Sequence, residues 1–179
     1  MPELPETETM ARQLNAAVVN DELEKIQILQ QGVIKNIDGK SLAQRTEGQI
    51  ITAAYRRAKV VLVVLGSNEV LAFHPKMTGS LLLREGIEPP RYACLGWRLK
   101  SGRFLWYGDM RRFGTVKLFN QSDLHTYCSG FGPEPLDEGF TVNVFHKILK
   151  DSQKEIKDLL LDQSCIAGIG NIYATEALW

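Results

Sequence analysis

The spacing of apolar positions changes twice along the chain and divides it into three stretches. From Leu4 to Val18, the residues Met10, Leu14, Ala17 and Val18 recur at helical intervals, which predicts an amphipathic helix lying on a core. Lys25 to Gln30 alternates Ile26 and Ile28 with polar neighbours, as a half-buried strand does. Asp38-Gly39 breaks the chain, and Ser41 to Thr46 fits one or two helical turns that stop at Gly48. From Gln49 the period becomes two. Gln49–Tyr55, Lys59–Leu65, Val70–His74, Ser80–Leu83, Tyr92–Leu99, Arg103–Tyr107 and Thr115–Phe119 read as short strands, with turn signals at Gly66-Ser67-Asn68 and Ser101-Gly102. Glu88-Pro89-Pro90-Arg91 reads as an exposed loop.

After Asn120 the pattern is helical again. Ser122 suits the cap of a short helix through Cys128, and Gly130 to Pro135 is irregular, so a domain boundary is placed there: 1–130 and 131–179. Thr141 caps a helix with Val142, Phe145, Ile148 and Leu149 on one face. Ser152-Gln153-Lys154-Glu155 has the form of a capping box opening a helix that buries Ile156, Leu159 and Leu160. Gly168-Ile169-Gly170-Asn171 interrupts it, and Asn171 suits the N-cap of a last helix to Trp179. The fold class expected is therefore α+β: an N-terminal antiparallel β-sandwich flanked by helices, then an all-α segment. No stop signal follows the last helix, which is short enough to need packing partners, so the chain reads as cut in mid-architecture.

Composition narrows the function classes. A 179-residue chain with 44% hydrophobic residues can bury a substantial core. No apolar run approaches membrane-spanning length and the polar N-terminus is no signal peptide. Cys94, Cys128 and Cys165 are widely spaced and form no CxxC pair, which argues against a disulfide framework or a zinc site and suits a reducing cytoplasm. The 21 basic and 21 acidic residues balance, so a polyanionic partner could be announced only by local clusters such as Arg56-Arg57-Ala58-Lys59 and Arg111-Arg112.

Several stretches could carry chemistry. In Met1-Pro2-Glu3-Leu4-Pro5-Glu6-Thr7-Glu8, loss of the initiator Met would leave Pro2 with a free secondary amine, a nucleophile partly unprotonated at neutral pH, beside the carboxylates of Glu3 and Glu6. The same residues also suit an ordinary helix start, with Pro5 in the first turn and the acids at the positive end of the dipole. His74-Pro75-Lys76-Met77-Thr78-Gly79 ends a strand, where His74 could be structural and Met77 core. Asp109-Met110-Arg111-Arg112-Phe113-Gly114 puts two arginines and a phenylalanine in one turn; arginine pairs with phosphate, and an exposed phenylalanine can wedge between bases, unless it folds back on the sheet. The Gly168–Asn171 turn offers free N–H groups at a helix start, a natural phosphate site. Lys59 alone reads as a surface cation.

Taken together and in order, MPELPETE, RRAK, HPKMTG, DMRRFG, FGPEPL and DQSCIAGIGNIYATEALW resemble the formamidopyrimidine-DNA glycosylase family, related to endonuclease VIII, over essentially the whole chain. Leu4, where the endonuclease VIII branch commonly has Gly, favours the branch that removes oxidised purines. The resemblance implies a bifunctional DNA glycosylase/AP lyase of base excision repair, acting on damaged double-stranded DNA as a cytoplasmic monomer without membrane or small-molecule cofactor. It implies Pro2 as nucleophile, Glu3 protonating the sugar ring oxygen, Glu6 assisting, and Lys59 on a backbone phosphate and in proton transfer. Met77, Arg111 and Phe113 match the residues that fill the gap left by a flipped base. His74, Arg112, Lys157 and Asn171 match phosphate contacts, and Glu176 a helix glutamate near the amine. It also implies that 131–179 is the first part of a helix-two-turns-helix module, and that the family's four-cysteine zinc finger lies beyond it, leaving no metal here and weakened activity. Met110 stands where the family usually has proline, Pro75-Lys76 where it has Leu and a small residue, and Tyr92-Ala93-Cys94 in place of a histidine-rich loop. An oxidised-pyrimidine glycosylase and a non-catalytic DNA-binding remnant are the competing readings.

Overall fold

The computed structural model describes residues 1–179. Helix α1 (Leu4–Val18) turns a stripe of Leu4, Thr7, Ala11, Leu14 and Val18 inward, three and four residues apart, and carries Pro5 in its first turn, where no N–H is needed. Eight strands follow: β1 (Glu22–Ile28), β2 (Gln49–Arg57), β3 (Val60–Leu65), β4 (Val70–His74), β5 (Gly79–Glu85), β6 (Ala93–Leu99), β7 (Arg103–Asp109) and β8 (Thr115–Phe119). Helix α2 (Gly39–Thr46) lies between β1 and β2, and starts two residues before Ser41 because Asp38 caps it.

The strands pair antiparallel in the order β5-β7-β6-β1-β2-β3-β4-β8. Only Glu22↔Ile50 and Leu23↔Gln49 join β1 to β2, so this narrow ladder links two four-stranded halves. The halves meet face to face: Phe73 of β4 stands edge-on to Trp97 of β6 at 6.0 Å and tilts onto Tyr107 of β7 at 5.8 Å. Strand β3 is apolar throughout because both its faces are covered. Val61, Val63 and Leu65 enter the main core, whereas Val60 and Leu62 pack with Phe119 and Leu124 under α3 (Gln121–Ser129).

Helices α4 (Val142–Lys150), α5 (Ile156–Leu161) and α6 (Asn171–Leu178) form a smaller cluster around Leu159, Leu160, Ile166 and Ala174. Three expected caps differ. Asn120, not Ser122, caps α3, because its side-chain oxygen receives the Asp123 N–H. Ser152 accepts from Lys154 N and forms no capping box; the helix begins at Ile156. Asn171 is the first residue inside α6, and Gly170 is the residue before it. The apolar groups left exposed here include Ile172 and Leu178 of α6 and Trp179 just after it. No helix is long and apolar enough to cross a membrane.

The two parts are joined by a buried ionic seam. Glu134 accepts from Arg56 Nη1, from Arg57 Nη1 at 2.6 Å and from Ala58 N at 2.7 Å. Arg56 also reaches Glu8 at 2.7 Å, and Arg57 the carbonyls of Phe131 and Gly132. With its side chain 5% exposed, Arg56 is unavailable to a polyanion. The arginine pair read as a possible positive face is an internal clamp, since a buried guanidinium is tolerable only when paired. Burial opposes ionisation of Glu134, but the three donors outweigh it and hold the carboxyl below its ordinary range.

Candidate active site

The chain end is held by α6, from the far end of the sequence. Glu3 is fully buried, and its carboxylate receives Ile172 N at 3.0 Å and Tyr173 N at 3.3 Å, the second and third N–H groups of α6. It thus caps a helix 169 residues away. The turn read as an open phosphate site is therefore filled by this chain's own carboxylate. The approach is close: a Cβ on Gly170 would overlap the Glu3 carboxyl, and one on Gly168, at φ +88°, would overlap Leu4. Leu4 N donates to Gly168 O at 3.0 Å, which completes the junction.

Glu6 faces the same junction. It accepts the Glu3 backbone N–H at 2.8 Å on one oxygen and the Tyr173 hydroxyl at 2.9 Å on the other. Burial pushes its carboxyl up, but the two hydrogen bonds prevail and hold it below the ordinary range. Pro2, half-buried, is fixed at one side by this bracket through Glu3.

Lys59 is half-buried rather than a free surface cation. It sits in the β2–β3 turn, after Ala58 at φ +52°, whose N–H is held by Glu134. Burial is the main cause that lowers its ammonium pKa; the charge of Glu3 works the other way and that of Lys76 adds to the lowering. His74 at the end of β4 is pushed down to about 4, by burial first and then by Lys76 and Lys59, so the ring is neutral at pH 7. Its Nδ1 accepts Lys76 N at 3.2 Å, which leaves the proton on Nε2 as the donor.

Met77, Arg111 and Phe113 come together at the tips of two loops. Arg111 Nη1 lies 3.0 Å from Met77 Sδ, and its guanidinium lies 4.7 Å from the centre of the Phe113 ring. Met77 is 42% and Phe113 55% exposed, so Phe113 does not fold back on the sheet and Met77 is not core. One buried carboxylate organises both loops. Asp109 accepts the Thr78 hydroxyl, Arg111 N at 3.1 Å and Gly114 N at 2.7 Å. The second arginine, Arg112, is exposed at φ +56°.

The remaining sequence candidates lie on the helical part. Asn171 is exposed in the first turn of α6, beside the N–H groups that hold Glu3. Lys157 on α5 and Glu176 on α6 are exposed and pair with nothing. Sequence reasoning missed Glu134, Tyr173, Asp109 and Thr78: the side-chain partners of Glu134 and Tyr173 are distant in sequence, and Asp109 and Thr78 meet across 31 residues. Only Glu134, a carboxylate between two prolines, carried a local signal. Cys94 lies in β6, Cys128 in α3 and Cys165 in the connection between α5 and α6, and no three metal-binding side chains gather, so these residues do not fit a zinc site.

The arrangement offers a half-buried amine, a neutral imidazole donor, carboxylates at the chain end, and an exposed tip that joins a guanidinium to two apolar side chains. Comparisons with known proteins place the whole chain in one family. Residues 1–116 match the formamidopyrimidine-DNA glycosylase N-terminal domain, and residues 131–179 the formamidopyrimidine-DNA glycosylase H2TH domain. The formamidopyrimidine-DNA glycosylase of Streptococcus pyogenes serotype M6 is 39% identical over 182 residues, spanning 100% of this chain and 66% of that protein. That of Moorella thermoacetica is 37% identical with the same coverage. The Lactococcus lactis Fpg in complex with abasic-site DNA superposes with a TM-score of 0.91 at 31% identity, over 99% of this chain and 66% of that one. The same protein with FAPY-dG-containing DNA gives 0.91 and 31%, over 99% and 67%. The chain spans about two thirds of the length of these relatives.

Proposed function

This chain belongs to the formamidopyrimidine-DNA glycosylase family, and from that premise we infer that it is a bifunctional DNA glycosylase/AP lyase that excises oxidised purines, 8-oxoguanine and formamidopyrimidines, from duplex DNA. The nucleophile in this reading is Pro2. While Met1 is attached, the Pro2 nitrogen is an amide without a usable lone pair, so removal of Met1 creates the active amine.

The Pro2 nitrogen forms a bond to C1′ of the damaged nucleotide as the bond from C1′ to the base breaks, and the electron pair leaves with the base. The new ammonium loses its proton, for which Glu6 is the available carboxylate. Ring opening at C1′–O4′ then gives an iminium ion as O4′ takes a proton from Glu3, whose carboxylate first takes one up from solvent. Both Glu3 oxygens accept an α6 N–H, and each keeps a second acceptor position for that proton. Lys59, whose ammonium gives up a proton more readily through burial, removes the C2′ proton and the 3′ phosphate departs.

Met77, Arg111 and Phe113 fill the duplex gap, while His74 and Arg112 contact phosphates together with Lys157 and Asn171. The terminal amine supplies the nucleophile and side chains the acid and base, so the reading needs no cofactor, and a monomer suffices. The observation that carries it is the bracket of Glu3 and Glu6 on α6, which fixes the residue beside Pro2. The test is borohydride trapping of the Met1-free chain on a duplex with an abasic or 8-oxoguanine site. A covalent protein–DNA adduct lost in Pro2→Gly is expected. Duplex binding without any adduct would refute catalysis and leave a DNA-binding protein.

A further inference from the structure

We propose that Tyr173 is a positioning residue for proton transfer at the chain end, acting through Glu6; the proposal rests on the Pro2 reading above. Tyr173 holds both carboxylates of the bracket at once. Its backbone N–H goes to Glu3 at 3.3 Å and its hydroxyl to Glu6 at 2.9 Å, while the other Glu6 oxygen receives the Glu3 N–H at 2.8 Å. Glu6 is exposed on the first turn of α1. Without the phenol one of its oxygens has no protein partner, and the side chain can swing from the residue adjoining Pro2.

The chemistry needs that carboxylate charged and in place. When the Pro2 nitrogen bonds to C1′ it becomes a tertiary ammonium, whose proton must leave before the ring opens to the iminium. A carboxylate bonded by a hydroxyl and a backbone N–H stays ionised to lower pH, which matches the lowered pKa of Glu6 despite the desolvation it meets at the junction. The bond to Glu6 is also the largest cause that raises the Tyr173 phenol, which therefore remains a donor at neutral and mildly alkaline pH. Tyr173 donates a hydrogen bond and transfers no proton itself, so its influence is entirely through Glu6.

The proposal is tested on the Met1-free full chain with Tyr173→Phe, Glu6→Gln and the double variant, by trapping rate on an abasic duplex as a function of pH, with duplex affinity measured alongside. Tyr173→Phe keeps the ring and the backbone bond to Glu3. It should slow trapping about tenfold at the acid end, the usual weight of a hydrogen bond to a charged group, shift the acid limb to higher pH and leave affinity unchanged. Added to Glu6→Gln it should change nothing further. A wild-type pH profile in Tyr173→Phe, or an equal slowing with and without Glu6, would overturn the proposal. If the unsubstituted chain never traps, the Pro2 reading itself fails. A carboxyl carbon NMR titration of Glu6 reads the link without DNA: it should titrate at higher pH in Tyr173→Phe, and an unchanged titration would also overturn it.

Discussion

Removing the Glu134 carboxylate should unfasten the seam between the sandwich and the helical part. Glu134→Ala deletes one acceptor from three donors: Arg56 Nη1, Arg57 Nη1 and Ala58 N. Breaking a buried ion pair from one side costs about 3–5 kcal/mol, because the other charge is left uncompensated. The figure here should be lower, since Arg56 keeps Glu8 and the Ala58 carbonyl, and Arg57 keeps the carbonyls of Phe131 and Gly132. We expect about 2–4 kcal/mol, or a fall in Tm of about 5–15 °C for a chain of this size. The assay is equilibrium denaturation in urea with a thermal scan.

The pH dependence follows from the depressed carboxyl. A group whose pKa is lower in the folded state stabilises fully above its unfolded value, 4.5 for Glu, and the stabilisation is lost as pH falls through the folded value. The gap between wild type and variant should therefore be constant from neutral pH to about 5 and close in more acid solution. The loss should also reach the site, because Glu134 holds the Ala58 N–H and so the turn that carries Lys59. A Glu134→Ala protein within about 0.5 kcal/mol of wild type, the range of ordinary surface changes, would refute the account of the seam.

Three other outcomes are expected. Gly170→Ala, at an ordinary φ of −124°, is purely steric: its methyl displaces the Glu3 carboxyl from α6 and should cost about 1–2 kcal/mol in thermal unfolding, as loss of a cap on two partly buried N–H groups does. Met110 is the second residue of the turn closed by Arg112 N on Asp109 O at 3.3 Å, and its own N–H donates to nothing, so Met110→Pro should stabilise the fold by about 0.4–1 kcal/mol in urea denaturation. The His74 ring should titrate near 4 in an NMR titration, with Nε2 protonated at pH 7; a titration at the ordinary 6.5 would show the ring to be better solvated than the structure has it.

What the sequence disclosed was local. The bounds of α1 and the run of strands follow from spacing alone, because a three-four stripe and a period of two each fix a buried face. Lys59 is half-buried where a lone cation reads as exposed, because its turn is clamped by a glutamate 76 residues from Ala58. The Gly168–Asn171 turn does have free N–H groups locally, and it took a carboxylate from the opposite end of the chain to fill them. Ser152 and Ser122 have good capping chemistry but lie off the helix starts, since Asn120 and the packing of Leu159 and Leu160 decide where α3 and α5 begin. Arg111 and Phe113 share one turn in the sequence itself, but Met77 joins them only through family motifs, and no local pattern marks Asp109, whose bond to Thr78 ties the two loops together.

The site contains two amines that could bond a sugar carbon, Pro2 after loss of Met1 and the partly buried Lys59. The most direct test is to reduce the adduct of the Met1-free chain with an abasic duplex, digest it, and locate the modified residue by mass spectrometry. The account predicts the sugar remnant on the nitrogen of Pro2, in the peptide that begins the chain. A remnant on Lys59, or on any other residue, would contradict it.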